Sequence, residues 1–284
     1  MSSLRNIDRR DLVPSSISQV RTNVKFELLN YFRARRFYVL LAITLMISAL
    51  LTGVVGYYRP ASYLSSQLGF YASWWGTWVT FVIVLSGIFF GGDAISGEFQ
   101  NKTGYFLIPN PIRRSTIYVG KWIAAFAASS LVLAIYAATT LANGIYYFGA
   151  IIPSQFGASI VFALLYLVAV LGFTFFFSSL FKNSSLSILI TAILFLFVFN
   201  LIQNLVAGLV QIEPWFLLTY GSQVIGNVLA DPYPPSVSTR SFGPGATNLT
   251  SYNASIPEGL VIIAVYFIVT AILGLILFER KEFT

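Results

Sequence analysis

Six long apolar runs dominate this 284-residue chain, and each approaches or exceeds the roughly 20 residues that cross the hydrocarbon core of a bilayer. We place them at residues 37–57, 71–90, 117–147, 156–181, 186–210 and 259–278. Backbone groups in lipid must be satisfied internally, so the runs predict helices. We therefore expect an all-α integral membrane protein, with an N-terminal segment (residues 1–36) followed by a six-span transmembrane domain (residues 37–284).

Few side chains in this chain could perform catalysis. The chain has no cysteine and no histidine, and none of its ten Asp and Glu residues falls well inside an apolar run. Thiol chemistry and metal sites built on histidine or cysteine are therefore excluded. A proton-coupled transporter or an intramembrane enzyme usually carries an ionisable group at membrane depth. We expect no catalytic residue, no metal and no cofactor in this chain.

The basic residues orient the spans. Six spans put both termini on one side, and 15 of the 17 Lys and Arg residues lie on that side, in residues 1–36, in residues 102–121, at Lys182 and in the C-terminal tail. Arg59 and Arg240 lie on the other side. The positive-inside rule then predicts a multi-pass protein of the cell membrane with both termini in the cytoplasm. This placement explains the net charge of +7 without a nucleic-acid partner.

A basic amphipathic helix is predicted before the first span. Apolar residues recur every three or four positions, at Ile17, Val20, Val24, Leu28, Tyr31 and Phe32. Such a helix beside a span is typical of one that lies in the lipid headgroup region, which makes membrane lipid an expected partner. The alternative is a charged flank that only sets topology.

A polar stretch between the second and third spans, residues 91–121, holds six charged residues in a chain that is only 10% charged. Ser96 could cap a short helix there, and Asn110-Pro111 would end it, since a residue before proline is disfavoured in helical geometry. Such a capped, charged helix below the bilayer predicts a docking surface for a soluble partner. The alternative is a connecting loop whose charges only prevent insertion.

This stretch resembles the signature of permease subunits of ATP-binding cassette transporters of the type-2 exporter class. The matching positions are Asp93, Gly97, Glu98, Thr103, Pro111, Arg114, Gly120 and Lys121. Lys102 stands where that family usually has glycine before the threonine. The six spans, the basic N-terminal helix and the charged tail agree with the same family.

The resemblance implies a coupling loop at residues 91–121, with Glu98 as the main contact for a separate cytoplasmic ATPase. Two copies of that ATPase would carry the ATP and magnesium, because Gly120-Lys121 lacks the rest of a phosphate-binding loop. A second permease, either a second copy in a homodimer or a similar chain in a heterodimer, is also implied. The alternatives are a non-transporting scaffold or assembly protein and a secondary transporter.

The fifth span carries a stripe of amide side chains. Its members are Asn200, Gln203, Asn204 and Gln211, which Asn143 of the third span could join. Such a stripe should avoid lipid, and it fits helix packing across a dimer seam or a translocation path. The absence of charge along it favours export of an amphipathic, lipid-like or peptide-like substrate.

The segment between the fifth and sixth spans, residues 211–258, is predicted to be external. Its first part is apolar but too short to cross a bilayer, and the resemblance implies short re-entrant helices there. Its second part is rich in Ser, Thr, Gly and Asn, which indicates an exposed loop. Asn248 and Asn253 begin glycosylation patterns. Chance occurrence in such a sequence is the alternative.

Overall fold

A computed structural model describes residues 15–101, 113–240 and 249–281. Within these ranges, six helices are long and apolar enough to cross a membrane. The first to sixth spans are Arg35–Tyr58, Gln67–Gln100, Arg114–Phe148, Ser154–Leu180, Ser184–Val210 and Ile256–Arg280. The predicted all-α integral membrane fold is confirmed. All six spans begin before the predicted runs, because polar residues at a helix end can still join its backbone hydrogen-bond ladder.

The second and fifth spans are not uniform α-helices. The second consists of Gln67–Tyr71, a π-helical turn at Ala72–Gly76, and Thr77–Gly91, and after a turn it ends in Ser96–Gln100, called the loop helix below. The fifth consists of Ser184–Ile193, Leu194–Val198, Phe199–Leu205 and Val206–Val210, of which the second and fourth pieces are π-helical. A four-residue helix, Ala61–Leu64, precedes the second span.

The predicted amphipathic helix forms at Ser16–Arg33 and is called the N-terminal helix below. It packs along the third span. Tyr31 is buried, and Val24 and Leu28 of the same predicted stripe pack against the core. These residues therefore contact protein. The exposed large apolar side chains of this helix are Ile17 at the start of the stripe, at 82%, and Phe26 and Leu29 outside it, at 64% and 40%.

The second and fourth spans form the centre of the bundle. The sixth span lies along the fourth, and the second lies against the third and fourth. A Cβ on Gly91 would lie 2.0 Å from Thr174 Oγ1 of the fourth span, so glycine is needed for this approach. The most apolar window of the second span is 67% buried and that of the fifth only 17%. The fifth span is thus the least enclosed.

Two short helices, Leu218–Gly221 and Gln223–Asn227, lie between the fifth and sixth spans and confirm the predicted short helices. We call them the paired short helices. Trp75 Nε1 donates to Ser159 Oγ, which in turn donates to the carbonyl of Ile225, so these helices are tied to the second and fourth spans.

Strands β1 (Val237–Arg240) and β2 (Leu249–Tyr252) pair as an antiparallel hairpin in the segment expected to be an exposed loop. Its strands are short and rich in Ser and Thr, without the apolar alternation that would have predicted them.

Candidate functional site at the loop helix

The loop helix begins against the fourth span. Ser178 Oγ accepts hydrogen bonds from the backbone N–H groups of Ile95 and Ser96, at 2.9 and 3.0 Å. Ser96 is the first residue of the helix rather than its cap, and its own hydroxyl lies 3.2 Å from that of Ser178. The expectation that Ser96 caps this helix is therefore wrong, because the fourth span supplies the acceptor.

Lys121 joins three elements through two ion pairs. Its Nζ lies 2.6 Å from Glu27 Oε1 of the N-terminal helix and 2.7 Å from Glu98 Oε1 of the loop helix. The Lys121 side chain is only 7% exposed. A buried cation between two carboxylates compensates both, and losing it would leave them uncompensated. We call this group the lysine clamp.

Gly120 lets the N-terminal helix approach closely enough to form the clamp. A Cβ at this position would lie 2.5 Å from Asn23 Nδ2, which donates to the carbonyl of Ile117 at 3.1 Å. Asn23 stands one helical turn before Glu27, so the contact at Gly120 sets Glu27 opposite Lys121. The adjacent Gly and Lys of the sequence signature thus serve one contact between helices.

Asp93 is held by the first span. Arg36 Nη1 lies 2.5 and 2.7 Å from the two carboxylate oxygens of Asp93 and also donates to the carbonyl of Phe89 at 3.3 Å. The Tyr31 hydroxyl donates to the carbonyl of Phe90 at 3.0 Å, and burial raises the pKa of this hydroxyl, which stays neutral. The turn before the loop helix is therefore fixed from two sides.

Arg114 binds the end of the sixth span. Its Nη1 donates to the carbonyls of Phe278, Glu279 and Lys281, at 3.3, 3.0 and 2.7 Å. These carbonyls belong to the last turn of a helix, where the backbone leaves acceptors unsatisfied. Arg114 therefore caps a helix here, whereas Asp93, Gly97, Glu98 and Lys121, the other described members of the predicted set, lie at the loop helix or contact it.

Lys281 reaches back from the sixth span towards the loop helix. Its Nζ donates to the carbonyls of Ser179 and Phe181, at 2.9 and 2.8 Å, and lies 4.4 Å from the ring centroid of Phe99. Burial, helped by the nearby charge of Lys182, lowers the pKa of Lys281 to about 8. The end of the fourth span, the loop helix and the sixth span meet at this side chain.

The far end of the loop helix contacts the fifth span. Gln100 Oε1 accepts from the backbone N–H of Ser184 at 2.7 Å. A Cβ on Gly97 would meet Ser184 Oγ at 3.7 Å, an ordinary contact, so the described packing does not require glycine there. Thr103 and Pro111, the remaining predicted coupling residues, lie outside the described residues.

A cleft of about 410 Å³ opens beside the loop helix. It lies between this helix, the N-terminal helix and the start of the third span. Its lining residues are Glu27, Asn30, Tyr31, Arg33, Ala34, Arg36, Asp93, Ala94, Gly97, Glu98, Asn101 and Lys121. The predicted residues Asp93, Gly97, Glu98 and Lys121 therefore share one polar cleft, which could receive a segment of another protein.

Two of the predicted stripe residues line one cavity. Asn200 and Gln203 border a space of about 270 Å³ between the second span, the fifth span and the paired short helices. Thr219 Oγ1 donates to Gln203 Oε1 at 2.8 Å across it. The lining residues are Thr80, Phe81, Val84, Phe195, Leu196, Asn200, Gln203, Thr219, Ser222 and Gln223, none of which is charged.

The other stripe residues lie apart from this cavity's lining. Asn204 is exposed on the fifth span, and Asn143 donates to the carbonyl of Thr139 on its own helix at 2.9 Å. Gln211 ends the fifth span in the left-handed conformation, with φ 56°, and its carbonyl accepts from the Tyr252 hydroxyl.

Of the two asparagines that begin glycosylation patterns, the structure describes Asn253. Asn253 Nδ2 donates to the carbonyl of Pro235 at 2.9 Å and to Ser238 Oγ at 3.1 Å. A glycan on this nitrogen would have to replace at least one of those bonds. Asn248 lies outside the described residues.

Sequence reasoning missed three residues that hold the loop helix, namely Glu27, Ser178 and Lys281. Glu27 is the only acidic residue of the N-terminal helix, which is a usable signal for an ion pair. The sequence carries no such signal for Ser178 or Lys281, because a serine in an apolar helix and a basic residue in a tail are both common.

Comparison with known proteins agrees with the described architecture. Residues 21–283 match a family model described as ABC-2 family transporter protein. The match runs from the N-terminal helix to the tail and so includes all six spans. No curated protein matches the chain.

Proposed function

Because the chain belongs to the ABC-2 transporter family, and so is a permease subunit of an ATP-binding cassette transporter, we propose that a separate ATPase docks on its loop helix. The family implies such an ATPase partner. In the proposed complex the ATPase binds ATP and magnesium, and two copies serve two permeases. Glu98 is the central docking residue, within the cleft formed with the N-terminal helix.

One observation carries this proposal, which is that several spans hold the loop helix. Lys121 binds it from the third span, Ser178 from the fourth and Ser184 from the fifth. A helix held in this way moves its neighbours when a partner displaces it. A helix that couples ATP-driven motion of a partner to the membrane spans requires this property.

The charge distribution supports a cytoplasmic position for the loop helix and both termini. The loop helix and the turn before it are contacted by Arg36, Lys121 and Lys281, and Arg114 binds the last carbonyls of the sixth span at the same end of the bundle. Basic residues favour the cytoplasmic face of a membrane. The paired short helices and the hairpin would then face outwards.

A second permease, either a second copy or a similar chain, would pack on the fifth span. That span is the least buried, and Asn200 and Asn204 are exposed on it. Amide side chains in a membrane favour hydrogen bonds with a neighbouring helix over contact with lipid. The exposed amides therefore favour a dimer seam over a lipid-facing surface.

The uncharged cavity at Asn200 and Gln203 supports an amphipathic substrate, lipid-like or peptide-like, which we propose is exported. Its lining mixes amides and hydroxyls with phenylalanine and leucine. Neutral donors and acceptors beside apolar walls suit a ligand with both characters. A strongly ionic substrate would find no opposite charge there.

Purification from the native membrane tests the docking proposal. A mild-detergent pull-down of this chain should retain, in stoichiometric amount, an ATPase with a phosphate-binding loop, identified by mass spectrometry. Glu98→Ala should reduce the retained ATPase several-fold, whereas Glu279→Ala, which removes an exposed carboxylate from the last turn of the sixth span, should not. Recovery of the chain without any ATPase, or equal recovery with Glu98→Ala, would contradict the proposal.

Cysteine cross-linking tests the seam, because the chain has no native cysteine. Asn204→Cys in native membranes should form a disulfide-linked pair under mild oxidation. Val265→Cys, on the exposed face of the sixth span, provides the matched control. Cross-linking of the control alone would place the partner on another face.

A further inference from the structure

The last turn of the sixth span meets the loop helix as well as the fourth span. Lys281 lies over the ring of Phe99, a loop-helix residue, while donating to the carbonyls of Ser179 and Phe181. An ammonium group over an aromatic face is attracted by the ring, and one at a helix C-terminus is attracted by the exposed carbonyls. Lys281 thus binds two elements at once.

The end of the sixth span is itself fixed on the other side. Arg114 holds its carbonyls, and Phe278 is buried with its ring centroid 6.3 Å from that of Phe99 and 6.3 Å from that of Tyr118. A displacement of Phe99 would therefore act on both the Phe278 ring and the Lys281 ammonium group at the end of the sixth span.

This contact matters because the sixth span is otherwise remote from the loop helix. The second span is continuous with that helix, and the third is joined to it by the lysine clamp. Only 22% of the apolar window of the sixth span is buried, and its main packing partner is the fourth span. Phe278 and Lys281 both contact Phe99 of the loop helix.

We propose that Lys281 is a positioning residue that passes displacement of the loop helix to the sixth span. The proposal rests on the function proposed above, in which an ATPase displaces that helix. The loop helix then drives the second and third spans directly and the sixth span through Phe99 and Lys281. Movement of the sixth span in turn reaches the paired short helices, which pack against its opposite end.

The first test uses this chain alone, reconstituted in lipid nanodiscs. Spin labels on Asn101→Cys and Glu279→Cys, both exposed positions, report the distance between the loop helix and the sixth span. Lys281→Gln should broaden the distance distribution, and Lys281→Arg, which keeps the charge and the donors, should leave it narrow. Arg280→Gln removes the neighbouring exposed charge and is the matched control. An unchanged distribution with Lys281→Gln would overturn the proposal.

The second test uses the complex with the co-purified ATPase, and it separates positioning from mere stability. Labels on Ile151→Cys and Val261→Cys, near the far ends of the third and sixth spans, should shift in distance when ATP and vanadate trap the complex. Lys281→Gln should abolish the shift while the ATPase still co-purifies, and Lys281→Arg should restore it. A full shift with Lys281→Gln would overturn this proposal alone. Failure of any ATPase to co-purify would instead contradict the proposed function, and the first test would still decide whether Lys281 ties the two helices.

Discussion

The two ends of the bundle are held by different kinds of interaction. At the loop-helix end, the ion pairs between described residues join Arg36 to Asp93 and Lys121 to Glu27 and Glu98. At the end with the paired short helices, the described residues form no ion pair. Hydrogen bonds, two of them to carboxylates, hold this end together with close glycine contacts of the kind also found at Gly91 and Gly120.

The end with the paired short helices shows this in detail. A Cβ on Gly76 would lie 3.2 Å from the Cα of Gly226, so two backbones nearly touch. A Cβ on Gly259 would lie 2.3 Å from Val224 Cγ2. The carboxylate of Glu213 accepts from the Tyr220 hydroxyl, and that of Glu258 accepts from the backbone N–H of its own helix cap, Ser255.

The difference suggests how each end responds to force. Close packing gives way only through clashes or cavities, so the glycine-packed end should behave as a rigid unit. Ion pairs and side-chain caps can exchange partners, so the loop-helix end can rearrange when another protein supplies or removes a charge. A transporter that receives force at one end and opens at the other requires both behaviours.

Removing the cation of the lysine clamp should have the largest effect. Lys121→Met leaves Glu27 and Glu98 side by side in a mostly buried site, which should lower the free energy of unfolding by about 3–5 kcal/mol. Thermal unfolding of the purified chain in detergent measures this loss. Lys25→Met, at an exposed position of the N-terminal helix, is the matched control and should change little.

A triple variant separates charge from shape in the clamp. With Glu27→Gln and Glu98→Gln added to Lys121→Met, no unpaired charge remains and much of the stability should return. If Lys121→Met alone is as stable as the wild type, the loop-helix end does not depend on ion pairs and the comparison between the two ends fails.

A glycine substitution tests the packed end. Gly259→Ala forces a methyl group into Val224 and towards the carbonyl of Gly221, which should cost about 1–3 kcal/mol by overpacking. Gly157→Ala, near the start of the fourth span with nothing within 4 Å of its Cβ position, should be neutral or slightly stabilising. Equal unfolding temperatures for the two variants would show that the packing around Gly259 accommodates a methyl group without loss of stability.

The cap of the loop helix offers a smaller, local effect. Ser178→Ala leaves the buried N–H groups of Ile95 and Ser96 without their acceptor, at a cost of about 1–2 kcal/mol. Hydrogen–deuterium exchange of the loop helix should rise, and less ATPase should co-purify. Ser179→Ala is the matched control, since the Ser179 hydroxyl is buried without a hydrogen bond to the described residues. Similar hydrogen–deuterium exchange in both variants would show that the Ser178 hydroxyl does not stabilise the loop helix.

Much of the fold could be predicted because hydrocarbon permits few backbone structures. Apolar length predicted the ends of the six spans to within four residues, except that the second span continues ten residues further, through the loop helix to Gln100. The helical period of the N-terminal segment predicted its helix. The π-helical turns in the second and fifth spans were not predicted, because the apolar length that identifies a span does not distinguish an i→i+5 hydrogen-bond pattern from the i→i+4 pattern of an α-helix. The β1–β2 hairpin was missed because its residues carry no apolar alternation.

The predicted residues of the candidate site came from their charge and, for Gly97, from the family resemblance. Asp93, Glu98 and Lys121 stood out as charges beside apolar runs, and the structure brings them into one cleft. Their partners Arg36 and Glu27 come from the N-terminal part of the chain, and no local pattern pairs residues more than 50 positions apart. Asn143 was grouped with the amides of the fifth span, but it does not line the cavity bordered by Asn200 and Gln203. Composition alone does not determine which helices pack together.

A pH dependence from Lys281 tests whether the loop-helix end includes the sixth span. Burial, with the charge of Lys182, lowers the pKa of Lys281 to about 8 from a reference value of 10.5. The folded chain then binds fewer protons than the unfolded chain between these values, so the free energy of unfolding gains a term that rises with pH across this range. Lys281→Met should remove that term, so the difference in unfolding temperature between the two proteins should change between about pH 7.5 and about pH 10. A constant difference would show that folding leaves the pKa of Lys281 unshifted, which would contradict the desolvation of this ammonium group at the loop-helix end.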